Sequence, residues 1–295
     1  MVCCRYNATL SFLIDDLIDC CMIPVISFAH GCLIMNEELS YKHLKKTGET
    51  VDDILGGRIK ILQKEKGYRF SLDSLLLAHF IRIKQNSRVI DLGTGSGIIA
   101  LILTYRYDLQ GVIAMEVQRK LVDMAQRNIK LNGLESRIEI RQGNVRDVRN
   151  FLDPQSFDVV VFNPPYRKLS SGRINPNEEK AVARHEIMGS IADFLSSAKY
   201  LLKETGSVFL IYPARRGVEL FYRMRLNSIE PKRVRMVHSD SSSRAEFILI
   251  EGVKNGGEEL TVMPPLFIYH EKGKYSREME EIFRDISCPA GTADL

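Results

Sequence analysis

The stretch RVIDLGTGSGIIALILTYRY, Arg88 to Tyr107, joins an apolar extended run to a helical one through Asp91-Leu92-Gly93-Thr94-Gly95-Ser96-Gly97. Glycines at i, i+2 and i+4 let a backbone pass close to a ligand between strand and helix. Outward from it the same rhythm repeats. GVIAMEV is followed by a helix through Gln118 to Leu131, stopped by Asn132-Gly133. RIEIRQGN, FDVVVFNPP, a helix near Ile191 to Leu202 and SVFLIYP come next. Strand alternating with helix predicts a doubly wound, mostly parallel sheet. RVRMVH and AEFILIEGV, separated only by SDSSSR, have the spacing of an antiparallel hairpin, which adds an antiparallel edge. The fold class expected is therefore α/β, Rossmann-like, with a seven-stranded sheet made from these seven runs.

Upstream, RIKILQ in Asp52 to Phe70 is β-rich, and a Lys-Gly turn followed by a second extended piece signals a hairpin. SLDSLLLAHF then turns helical, with Ser71 as N-cap and Leu72, Leu75, Leu76 and Phe80 on one face. Downstream, LTVMPPLFIYHEKGKYSREMEEIF reads as one short strand and a helix from about Ser276. The division expected is a tail over 1–34, a hairpin-and-helix extension over 35–86, and the main domain over 87–295, with Met35 as the physiological start.

Composition narrows the class. The chain has 295 residues, 45% hydrophobic and 26% charged, with no Trp, which excludes collagen-like and disordered classes. Residues 1–34 carry apolar patches broken by Asp15, Asp16 and Asp19, a poor signal peptide and too interrupted to span a bilayer. Five of six cysteines precede Met35, leaving the rest without a disulfide framework and suited to a reducing cytoplasm. Adjacent Cys pairs cannot both close on one ion, so no metal site is expected. His79, His238 and Ser241 to Ser243 stand at no catalytic spacing. The 41 basic against 37 acidic residues, net +4, permit a nucleic-acid partner without requiring one.

The loop's chemistry separates two nucleotide classes. A dinucleotide loop is GxGxxG, whereas here Asp91 ends the strand before Gly93, Gly95 and Gly97. An acid there repels a pyrophosphate but accepts hydrogen bonds from an ammonium group. That points to S-adenosylmethionine. Glu116, with Val117 after it, ends the next strand, where a carboxylate can hold ribose hydroxyls. Gly143-Asn144-Val145 ends the third, placing an amide at the adenine edge and an apolar side chain on its face. Thr94 belongs to the same turn.

Phe162-Asn163-Pro164-Pro165-Tyr166 follows FDVVV directly. Two prolines remove donors and fix φ, so the Pro164 carbonyl is held outward as an acceptor. The Asn163 side-chain oxygen is a second acceptor, and Tyr166 adds an aromatic face. Two acceptors suit the two hydrogens of a planar conjugated amine and aim its lone pair at a methyl donor. Such catalysis is positioning and electrostatics, without a nucleophilic side chain. Asn163 thus borders both cofactor and acceptor. The polar loop beyond holds Arg167, Lys168, Arg173 and Arg184 as substrate-binding candidates, and a second basic concentration runs from Arg215 to Arg235.

The order DLGTGSG, Glu116, GNV, NPPY resembles the small-domain class I methyltransferases acting on exocyclic or amide nitrogens. GYRFSLDSLLLAHF, NPPYRK, LKETGSVFLIYPARR and PPLFIYHEKGKYSREMEEIF are more specifically similar to the bacterial tRNA1(Val) adenine-N6 methyltransferase family. That resemblance implies that Asp91, Gly93, Gly95 and Glu116 bind adenosylmethionine, Asn144 contacts its adenine, and Asn163 to Tyr166 hold the target base. It also implies that Tyr68 to Asp73 cap the cofactor pocket. Many relatives have Asp where Asn144 stands, which weakens that contact. The partner implied is tRNA, specifically valine tRNA next to its anticodon, with no membrane and no metal; oligomeric state is open, a monomer being expected. Glutamine-N5 methylation of a release factor or ribosomal protein uses the same NPPY, and guanine-N2 or DNA adenine methylation are further alternatives. A non-catalytic adenosylmethionine-binding RNA chaperone is opposed by the intact NPPY.

Overall fold

Glu49–Ile54 (β1) and Ile59–Lys64 (β2) pair antiparallel, Ile54 opposite Ile59. The computed structural model describes residues 43–66, 69, 71–165, 189–271 and 273–285. The chain divides into two units, 1–44 and 45–295, and all the described strands and helices belong to the second. The expectations on the 1–34 tail, Met35, all six cysteines and Tyr68 lie outside the described residues, as do those on the loop from Tyr166.

RIKILQ has a partner that was not expected, Glu49–Ile54 before it; Gly67, Tyr68 and Phe70, in the piece after it, lie outside the described residues. The reversal is made at Leu55, Gly56 and Gly57, with φ of 59°, 63° and 84°. Two consecutive glycines enter that left-handed region without steric cost, so the chain folds back there.

Leu72–Phe80 (α1) begins after Ser71, which occupies the N-cap but makes no side-chain cap bond. Its buried face is broader than the periodicity suggests, taking in Ser74, Leu77 and Ala78 besides Leu76 and Phe80, while Leu72 and Leu75 are half-buried. Elements on several sides of the helix cause this: it contacts the next helix and two strands of the main sheet.

The central sheet is built from Val89–Leu92 (β3), Val112–Glu116 (β4), Ile138–Gln142 (β5), Phe157–Phe162 (β6), Leu202–Pro213 (β7), Ile229–His238 (β8) and Ala245–Lys254 (β9). Two dipeptides, Thr261–Val262 (β10) and Leu266–Phe267 (β11), extend it along β8, so the seven expected strands become nine. The order is β10-β8-β9-β7-β6-β3-β4-β5, with only β9 antiparallel to its neighbours. Tyr269–Glu271 (β12) and Lys274–Tyr275 (β13) form a separate ribbon. The C-terminal stretch thus holds four short strands where one was expected, because Pro264 and Pro265 interrupt it and cannot donate to a ladder.

Ile98–Tyr107 (α2), Arg119–Leu131 (α3), Ile191–Leu201 (α4), Gly217–Leu226 (α5) and Arg277–Asp285 (α6) complete the described helices. Alternation along β6 and β7 divides the core. Val159, Val161, Phe209 and Ile211 join α1, α2 and α6 on one face; Val160, Phe162, Leu210 and Tyr212 join α4 and α5 on the other. Burial on both faces is why β3 and β6 are nearly continuous apolar runs. Order reverses at β3, which pairs β4 on one side and β6 on the other. A crevice opens at such a switch point, beyond the strands' carboxyl ends.

Candidate functional site

Asp91 pairs with Val161 in register, so Gly93 and Asn163 each stand two residues beyond the same rung, on adjacent strands. Gly93, Gly95 and Gly97 have φ of 74°, 60° and 86°. All three glycines are therefore demanded by conformation, and the Gly93 and Thr94 N–H groups both donate to the Met115 carbonyl, at 2.8 and 2.9 Å. The turn is thereby laid over the end of β4. Its other support comes from α3: Asn128, fully buried, donates to the Ser96 carbonyl (2.9 Å) and exchanges hydrogen bonds with both backbone groups of Leu62.

A cavity of about 620 Å³, open to solvent, fills the crevice. Gly93, Gly95, Glu116, Val117, Val145 and Asn163 line it, as does Pro165. These come from four strand ends, and the structure brings them to one wall. Asp91, Thr94, Gly97, Asn144 and Pro164 are not on that wall. Asp91 is 1% exposed, one oxygen accepting from Thr94 Oγ at 2.6 Å and the other, Oδ1, buried with no hydrogen-bond partner. Gly97 is the left-handed N-cap of α2. Asn144 Oδ1 accepts the Arg146 N–H at 3.0 Å, capping the 3-10 turn Val145–Asn150.

Electrostatically the site is two buried carboxylates. Burial pushes Asp91 up to about 7, against the Thr94 hydrogen bond, with the Glu116 charge adding to the rise. Burial also raises Glu116, opposed by the N–H groups of Gln118 and Gly95 at 2.9 and 3.0 Å. Such carboxylates keep unused lone pairs that a polar, cationic ligand can satisfy. The chemistry of the wall fits adenosylmethionine: Glu116 is the carboxylate that could accept from hydroxyls, the glycine edges leave room for close contact, and Asp91, buried behind the turn, is a second acid whose negative potential could reach an ammonium group. No cluster of three or more metal-ligating side chains occurs among the described residues, and no helix among them is long and apolar enough to cross a membrane.

Sequence reasoning missed several members. Met115, Gln118, Leu121 and Phe194 also line the cavity. Gln118 and Leu121 could have been found from the first turn of the helix after Glu116; Phe194 is an ordinary apolar helix position with no local signal. Ser74 was missed too: its Oγ accepts from Asn163 Nδ2 at 3.3 Å, bringing α1 to the NPPY corner. Tyr166, Arg167, Lys168, Arg173 and Arg184 lie outside the described residues.

The second basic concentration is mostly committed to the fold. Arg233 donates to the Phe80 carbonyl at 3.0 Å and Glu251 at 2.7 Å, and Arg235 to the Pro264 carbonyl and Glu278. Arg223 pairs with Glu219, Arg225 with Glu230, and Lys232 with backbone carbonyls. Their clustering in sequence reflects strand β8 being anchored at an edge, while Arg215 stays exposed.

Residues 69–230 match the family described as methyltransferase small domain. A tRNA1(Val) (adenine(37)-N6)-methyltransferase of Actinobacillus succinogenes is 30% identical over 214 residues, 72% of this chain and 87% of the relative. A protein of the same description from Pedobacter heparinus is 25% identical, covering 74% of this chain and 90% of its own. Among solved structures, a predicted O-methyltransferase from Agrobacterium tumefaciens superposes with a TM-score of 0.60 at 19% identity, over 74% of this chain and 97% of that one. This last likeness concerns the fold.

Proposed function

Since the chain belongs to the family of small methyltransferase domains and is an adenosylmethionine-dependent methyltransferase, we propose that its acceptor is the exocyclic N6 amine of an adenine in tRNA. The observation carrying this reading is the shared wall: Asn163 and Pro165 border the same cavity as Gly93, Gly95 and Glu116. A planar amine seated at the corner thus meets the cofactor's seat directly. The names borne by the relatives, tRNA1(Val) (adenine(37)-N6)-methyltransferases, support tRNA as the substrate and valine tRNA as the species.

Bound adenosylmethionine supplies a methyl group on a sulfonium, already a good leaving group. Asn163 Oδ1 and the Pro164 carbonyl accept the two amine hydrogens, which raises electron density on the nitrogen and orients its lone pair. Tyr166 stacks on the base. Because the amine becomes acidic only as its bond to carbon forms, the residues need to align and to accept hydrogen bonds, not to deprotonate beforehand. Glu116 holds the ribose and Val117 and Val145 flank the adenine, while Asn144, off the wall, caps the turn that begins at Val145. Asp91 with Thr94, behind the turn, stabilises the ammonium group electrostatically, while Gly97 shapes the helix start. Arg167, Lys168, Arg173 and Arg184 hold RNA phosphates or stack on splayed bases. A tRNA substrate implies a cytoplasmic reaction.

The test is transfer of labelled methyl to total tRNA from a strain lacking the enzyme, with wild type and Asn163→Ala compared and the nucleosides analysed. N6-methyladenosine formed by wild type alone is the expected result. Label in a release factor or ribosomal protein, and none in RNA, would overturn the tRNA reading in favour of a glutamine amide.

A further inference from the structure

We propose that Gly189 is a positioning residue for the cofactor: its missing side chain lets the chain pass directly against Val145 and so fixes where Val145 stands in the cavity wall. This rests on the reading of Val145 as a flank of the adenine. Gly189 is buried and has φ of 90°, a backbone that L side chains rarely adopt. Conformation is only half of what the position demands. A Cβ at 189 would stand 2.7 Å from Val145 Cγ1, well inside van der Waals contact, and 3.6 Å from Asp193 Cβ.

Both sides of that contact are held in place. Ser190, the next residue, is the N-cap of α4: its N–H and hydroxyl donate to Asp193 Oδ2 at 2.7 and 2.8 Å, and its Oγ accepts the Asp193 N–H at 3.4 Å. Residue 189 is thereby tied to the helix start. Arg146 Nε donates to the same Asp193 oxygen at 3.2 Å, joining the residue after Val145 to that cap. The Val145 carbonyl accepts the buried Ser197 Oγ at 2.6 Å, which anchors its backbone to the middle of α4. Its side chain is 5% exposed, stiff at χ1, and packed in one core cluster with Val148, Ile191 and Phe194. Val145 also lines the cavity, so the unfilled space beside it is the adenine's seat. A methyl group at 189 therefore drives Val145 into that seat.

The experiment uses the full chain as wild type, Gly189→Ala, Val145→Ala and the double variant. Readouts are adenosylmethionine affinity by calorimetry, KM and kcat for methyl transfer, and Tm. Gly189→Ala should bind adenosylmethionine about tenfold more weakly through overpacking. Its KM for the cofactor should rise with that loss, while kcat at saturating cofactor stays within about twofold, because uniform binding is what is lost. Val145→Ala, which loses apolar contact, should bind about threefold more weakly than wild type. The signature is a change of sign: in the Gly189→Ala chain, Val145→Ala removes the colliding carbon and should strengthen binding. Strain at positive φ lowers Tm with or without the valine, and it cannot reverse the effect of a second substitution on affinity. Gly189→Asn, which tolerates positive φ better, places the same Cβ and is read in the same way where Gly189→Ala does not fold. Wild-type affinity in the 189 variant, or a double variant that binds no better than it, would overturn the proposal alone. Wild-type affinity in Val145→Ala would overturn the reading of Val145 as an adenine flank, and the Gly189 role with it.

Discussion

Glu116 Oε2 accepts the Gly95 backbone N–H at 3.0 Å, so the carboxylate at the end of β4 is also a strut of the glycine turn beside it. Its Oε1 accepts from Gln118 N–H at 2.9 Å, holding the start of α3. Replacing Glu116 with Gln keeps the shape but turns one acceptor into a donor facing a backbone N–H. Adenosylmethionine affinity should fall at least about tenfold, since a charge-assisted hydrogen bond contributes about 1.5–3 kcal/mol. Calorimetric titration of Glu116→Gln measures this; wild-type affinity would contradict the assignment of Glu116 to the cofactor.

Asp91 gives the site a pH signature. Its folded pKa, about 7, lies above its ordinary 3.8 because of burial. Between these values the native state keeps a proton that the unfolded chain has released, so stability contributed by this group declines as pH rises from about 4 to 7 and is level above. Asp91→Asn should remove that slope. Urea midpoints at pH 5, 6, 7 and 8 should converge on a flatter line in the variant; parallel lines would refute the shift. An ammonium ligand favours the ionised carboxylate, so wild-type cofactor affinity should rise with pH up to about 7.

The hairpin is clamped to α3 by a buried ion pair with the opposite sign. Glu49, 0% exposed, takes two hydrogen bonds from Arg127, at 2.6 and 2.9 Å, and others from Lys64 and the Lys46 N–H. Burial alone would raise its pKa, but these partners bring it down to about 2. The pair's contribution is therefore complete above about pH 4.5 and is lost as pH falls toward 2. Arg127→Met, which strands the carboxylate, should cost about 3 kcal/mol at pH 7 and less at pH 3. Denaturant unfolding at both pH values is the check.

Asn128 serves both stability and the site. Removing its side chain in Asn128→Ala leaves the Leu62 backbone groups and the Ser96 carbonyl without that partner. A loss of about 1–3 kcal/mol is expected, together with weaker cofactor binding, since Ser96 belongs to the glycine turn. A variant equally stable but weak in binding, or the reverse, would separate the two roles.

Much of this site was legible because its signals are local. Asp91 to Gly97 announce a turn that only glycines can make, and Asn163-Pro164-Pro165 announce the end of a strand, which the structure sets beside that turn. Periodicity located the strands, since parallel strands buried on both faces must be apolar throughout. The partner of RIKILQ before the sheet was passed over, since Glu49–Ile54 is not an apolar run and the feature that closes that hairpin is the positive φ at Gly56 and Gly57.

The residues of the chain by themselves determined the alternation of strand and helix, the glycine turn and the strand end at Asn163, because each depends on backbone sterics and spacing within a few positions. The tertiary structure alone decided that Phe194 faces the cavity, that Arg233 and Arg235 are spent on internal carbonyls and acids, and that Ser74 meets Asn163. Those facts depend on how distant elements pack. A serine in an apolar helix or an arginine in an edge strand has the same local chemistry whether it meets water or a partner, and only packing supplies the partner.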